Sequence, residues 1–111
     1  MTGITTHILD LTTGTPAAGV AVTLEQASAS GWEFIARATT DADGRVRDAF
    51  ASVPAAGRYR LTFATGGWFA ARGVDSFHPE VNVVFEVRDA AKHHHVPLLL
   101  SPFGYSTYRG S

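Results

Sequence analysis

Apolar and polar positions alternate along this chain in short runs, the period-two pattern of strands with one buried face. Val20, Val22 and Leu24 are separated by Ala21, Thr23 and Glu25; Tyr59, Leu61 and Phe63 share one face of the run from Arg58 to Ala64; and Val81, Val83, Phe85 and Val87 share one face of the longest clean run, Glu80 to Arg88. Ile4 to Leu9 and Trp32 to Thr39 add two more, the latter carrying Trp32, Phe34 and Ile35, residue types that suit a pleated surface. Shorter strands are predicted from Arg45 to about Phe50, over the histidine segment that runs into Val96 to Leu100, and from Tyr105 to about Tyr108.

Turn chemistry separates these runs: Thr12 to Pro16, Ser28 to Gly31, Thr40 to Arg45, Pro54 to Gly57, Asp89 to Lys92 and Ser101 to Gly104. Helix is expected only over Trp68 to Arg72, with Gly73 as its stop. Seven or eight strands at intervals of roughly 8 to 12 residues are the spacing of a β-sandwich. The fold class is therefore all-β, in a single domain over residues 1–111 with no repeat or linker.

Composition narrows the function. With 45% hydrophobic and 17% charged residues the chain has the makings of a core rather than of a disordered segment. The net charge is −1, and the nine Lys and Arg are spread from Arg37 to Arg109, so neither nucleic acid nor an anionic membrane is the expected partner. Cysteine is absent, which removes disulfides and thiol catalysis. Met1 to His7 has no basic and apolar leader pattern, and no run approaches the roughly 18 apolar residues of a membrane span. The final Arg-Gly-Ser is not a Ser-Lys-Leu address, so a cytoplasmic location is expected.

The candidate chemistry gathers at the end of the chain. On a strand, His93 and His95 fall on one face and His94 on the other, and the apolar Val96 to Leu100 segment would bury the strand and fix the rings. Two imidazoles on one face suit acid–base work or metal ligation, with His7 as a possible third ligand. No carboxylate has a recognisable ligand spacing to the pair. Arg45 and Arg47 follow an Asp-x-Asp-Gly turn, and either reads equally well as a solvated turn cation. Tyr108, Arg109 and Ser111 stand in a tail that is unusual for a terminus, where expendable polar residues are the rule.

The residues His93-His94-His95-Val96-Pro97-Leu98-Leu99, the ending Tyr108-Arg109-Gly110-Ser111, the early Thr6-His7-Ile8-Leu9-Asp10 and the central Thr40-Asp41-Ala42-Asp43-Gly44-Arg45 together resemble 5-hydroxyisourate hydrolases of the transthyretin-like family. The similarity spans the chain, and three separated motifs in order, the first two segments forming one C-terminal signature, make it specific. It implies a transthyretin-like Greek-key sandwich of two four-stranded sheets, assembled as a homotetramer. It also implies hydrolysis of the small molecule 5-hydroxyisourate in urate catabolism, without cofactor or metal.

By the same resemblance, His7, Arg45, His95 and Ser111 are the catalytic set, and His7, Arg45, Tyr108 and His93 contact substrate. His94 departs from the aromatic residue often found between the two histidines and is not expected to affect catalysis. Two rivals remain: a hormone carrier of the same fold, and a metal-dependent hydrolase. The carrier lacks the Tyr-Arg-Gly-Ser ending and the enzyme's histidines.

Overall fold

The computed structural model describes residues 3–52 and 55–111. The loop expected from Pro54 thus begins outside the described residues. Within them lie nine strands and one helix: β1 Ile4–Asp10, β2 Thr15–Pro16, β3 Ala21–Ser28, β4 Gly31–Thr39, β5 Arg45–Val46, β6 Gly57–Phe63, α1 Thr65–Ala70, β7 Val81–Val87, β8 His94–Ser101 and β9 Gly104–Thr107.

Two sheets face each other. One has the order β4-β3-β6-β7; the other runs β2-β1-β8-β9, with β5 also paired to β1. This second sheet has five strands where four were expected, because the two-residue β2 and β5 both add to β1. The pairing of β1 with β8 is parallel and joins the two ends of the chain, Ile4 opposite His94 through Asp10 opposite Leu100.

Alternation sends Ile4, Ile8, Leu98 and Leu100 from one sheet and Val22, Leu24, Leu61, Phe63 and Val81 from the other into a shared core, each at most 2% exposed. Each such side chain contributes roughly 1.5–3 kcal/mol by leaving water. Burying Ile4, Thr6 and Ile8 turns Thr5, His7 and Leu9 to the outer face of the sheet.

Three boundaries differ from expectation for identifiable reasons. After Val46 the chain leaves the ladder, turns where the Ala51 N–H bonds the Asp48 carbonyl (3.1 Å), and buries Phe50 in the core. The helix begins at Thr65, ahead of Trp68, because Gly66 packs where a side chain would strike the Pro79 carbonyl and Trp68 and Phe69 are drawn inward. Thr15 and Pro16, read as part of a turn, form an edge ladder with Asp10 and Leu9. Pro is admissible there because an edge leaves one side of the strand unpaired.

Candidate active site

The turn before β5 is built by Asp41. Its Oδ1 accepts the N–H groups of Asp43 (2.9 Å) and Arg45 (3.0 Å), and these bonds hold its carboxyl below the usual range. Gly44 completes the turn at φ 73°, and its carbonyl accepts the Ile8 N–H at 2.8 Å. The turn is thereby pinned to the middle of β1, which brings Arg45 opposite His7.

The two arginines that their pattern alone left equivalent, with Arg45 favoured by the resemblance, differ in their ion pairing. Arg47 donates to Asp41 (3.3 Å) and Asp43 (2.9 Å) on the surface. Arg45 makes no ion pair among the described residues; both arginines line a cleft of about 370 Å³, together with Thr5, Asp48, His93, His95 and Ser111. His7 is not part of that lining but adjoins it through Arg45.

On β8 the face assignment holds. His95 stands opposite Thr5 on the outer face, whereas His94 is buried on the inner face with its Nδ1 3.0 Å from the Lys92 carbonyl. His93 and His95 converge on one atom: Thr5 Oγ1 lies 2.8 Å from His93 Nε2 and 2.7 Å from His95 Nδ1. Thr5 is a member of the site that sequence reasoning missed, as is Asp48 in the same cleft. A threonine in a strand carries no signal until its neighbour across the parallel ladder is known.

Electrostatics favour neutral imidazoles. Burial first, then the Arg45 cation, pushes His7 below its ordinary value, against an opposing pull from the Asp43 carbonyl. His95 is lowered in the same way, by burial, then Arg45, then the neighbouring His93 and His7. Both side chains can therefore accept a proton near neutrality. Among the described residues no group of three or more His, Cys, Asp or Glu side chains is placed to hold a metal ion.

Pro97 shapes the tail. The β8–β9 register continues past Leu98 opposite Thr107 to a lone bridge between His95 and Gly110, so Pro97 stands opposite Tyr108. Proline has no N–H to give, and the ladder opens at that point. Thr107 Oγ1 takes up the Pro97 carbonyl (2.7 Å), and the Gly110 N–H rejoins the His95 carbonyl (2.8 Å). Ser111 is thus delivered to the cleft, while Tyr108 turns to an adjoining crevice of about 260 Å³ lined with Val83, Phe85 and His94 and sharing His95 with the cleft. The structure brings Arg45, His93, His95 and Ser111 together with His7 alongside, and sets Tyr108 next door.

The fold and site define a two-sheet sandwich of transthyretin type that carries imidazoles and a guanidinium on its outer face. Residues 4–110 match the HIUase/Transthyretin family, and the chain belongs to that family. A 5-hydroxyisourate hydrolase of Caulobacter vibrioides is 49% identical over 115 residues, covering 100% of each chain. The solved 5-hydroxyisourate hydrolase of Klebsiella pneumoniae superimposes with a TM-score of 0.85 at 44% identity, over 98% of this chain and 99% of that one. Sea bream transthyretin in complex with thyroxine gives a TM-score of 0.88 at 36% identity, over 96% and 93%. A transthyretin solved with thyroxine and a hydrolase thus share this fold, and the site must discriminate between them.

Proposed function

We propose that this chain hydrolyses 5-hydroxyisourate to 2-oxo-4-hydroxy-4-carboxy-5-ureidoimidazoline. The observation that carries the reading is the cleft in which Arg45, His95 and Ser111 meet, with His7 beside Arg45 and both imidazoles biased toward their neutral forms. Its relatives named as 5-hydroxyisourate hydrolases support the same substrate.

Arg45 presents a planar, permanently charged fork that binds a substrate carbonyl and favours the negative charge growing on it as water adds. His95 and His7 orient the water and take its proton. The ring C–N bond then breaks and its nitrogen takes up a proton, giving the carboxylate. Ser111 hydrogen-bonds substrate or water rather than acting as an acylated nucleophile. His93 helps bind from beside His95, and Tyr108 bounds the site from the adjoining crevice. No metal or cofactor enters this scheme.

The proposal extends to a cytoplasmic homotetramer acting in urate breakdown. Supporting the assembly, β7 and β9 each end a sheet with one side unpaired among the described residues, and Leu11, Val84, Tyr105 and Tyr108 are exposed. No helix among the described residues is long and apolar enough to cross a membrane.

Loss of the ultraviolet absorbance of freshly generated 5-hydroxyisourate tests the reading. Acceleration proportional to protein concentration is expected; decay at the buffer rate with folded protein overturns it.

A further inference from the structure

The hydroxyl of Thr5 touches two imidazoles at once, 2.7 Å from His95 Nδ1 and 2.8 Å from His93 Nε2, with the two rings 6.3 Å apart and inclined by only 24°. A hydroxyl has one hydrogen to give and two lone pairs to receive with. It can complete both contacts by accepting from one ring and donating to the other. Which ring donates decides the chemistry of both.

The role of His95 as a base sets the direction. Nδ1 of His95 is taken up by Thr5, so the nitrogen left to accept a proton from water is Nε2, and a neutral imidazole with a bare Nε2 carries its hydrogen on Nδ1. His95 Nδ1–H therefore donates to Thr5 Oγ1, and the Thr5 hydroxyl donates to a bare His93 Nε2. Each polar group in the chain is then satisfied.

We propose that Thr5 is a positioning residue of the site: it locks His95 in the Nδ1–H form, so that the Nε2 lone pair is kept free as the base. This inference rests on the hydrolase reading for the direction of the hydrogen bonds and for the kinetic consequence, while the contacts of Thr5 stand on geometry alone. An imidazole whose Nδ1–H is held by an acceptor has its orientation and its basic nitrogen set together. When Nε2 takes the proton of water, the Nδ1–H bond to Thr5 strengthens, and the bond from Thr5 to His93 strengthens with it. No proton needs to leave His95 through Thr5 for this to work.

The test uses the full chain with Thr5→Val, which keeps the shape and β-branching but removes the hydroxyl, and Thr5→Ser, which keeps the hydroxyl. Long-range proton–nitrogen NMR spectra of histidine-labelled protein, recorded above about pH 7 where free imidazole is neutral, report which nitrogen carries hydrogen. Wild type is expected to show His95 and His93 both protonated at Nδ1. Thr5→Val is expected to give mixed His95 forms and to lose about 10- to 100-fold in kcat with little change in KM, and Thr5→Ser to recover both. A wild-type His95 protonated at Nε2, or a Thr5→Val enzyme with wild-type kcat, overturns the proposal. If wild type fails to hydrolyse 5-hydroxyisourate, the hydrolase reading falls, and the spectra still decide on Thr5: a locked His95 that becomes mixed in Thr5→Val upholds the lock, and an unlocked one overturns it.

Discussion

His7 and Arg45 are direct partners in the antiparallel pairing of β1 with β5, so an imidazole and a guanidinium rise side by side from one face of the sheet. The cation lowers the proton affinity of His7 and, across the cleft, of His95. On the proposed reading one residue serves two ends, holding negative charge on the substrate and adding to burial in keeping both imidazoles neutral.

Arg45→Gln should separate those roles from the fold. Losing a charged donor at the reacting carbonyl is expected to lower kcat by about 100- to 1000-fold. Removing a cation makes protonation easier, so the acid limb of the pH–rate profile should move to higher pH. Arg45→Lys retains the charge without the fork, and should keep the wild-type limb while losing rate. An Arg45→Gln profile superimposable on wild type would contradict this coupling.

The wild-type profile follows from the same shifts. His7 and His95 both lie below the ordinary value of about 6.5, so activity should be level from about pH 7 upward and fall only on acidification below that ordinary value. Stability should carry the same sign. The unfolded histidines bind protons near pH 6.5 while the native ones resist, so their contribution is complete above that pH and is lost as pH falls through the native values. Denaturant titrations across this range check it; stability that rises on acidification through it would contradict the assignment.

Two glycines should respond differently to alanine. At Gly44, φ is 73° and a Cβ would lie 2.6 Å from the Ile8 carbonyl oxygen. Gly44→Ala should therefore cost about 1–3 kcal/mol or more and lower Tm by roughly 5–15 °C. At Gly110 the conflict is with the His95 ring, at 2.5 Å, near the end of the chain. There the tail and ring can move apart, so Gly110→Ala should leave Tm nearly unchanged and lower kcat by up to about 100-fold through misplacement of His95 and Ser111. Thermal melts and kinetics of both variants separate the two effects; equal losses of Tm would contradict the distinction.

Much of this was legible in the sequence, and the exceptions have local causes. The alternation of Tyr59, Leu61 and Phe63 predicts the inner face of β6, and the His93–His95 spacing predicts which imidazoles share a face. The family follows from motifs that need no fold to be read. Contacts that depend on tertiary neighbours were not legible. Gly66 reads as the end of a strand until Pro79 is seen against it. Pro97 reads as one more apolar residue until Tyr108 is found opposite. Pattern alone leaves Arg45 and Arg47 alike and the resemblance picks out Arg45, but that Arg47 is held by Asp41 and Asp43 shows only in the structure.

The most direct measurement is the decay of freshly generated 5-hydroxyisourate with wild type, His7→Ala and His95→Ala, each with and without EDTA. The account predicts rapid decay with wild type that survives EDTA and drops by about 100-fold or more in each variant, while both variants stay folded. Wild-type decay abolished by EDTA, or variants as fast as wild type, would contradict a site in which these two imidazoles activate water.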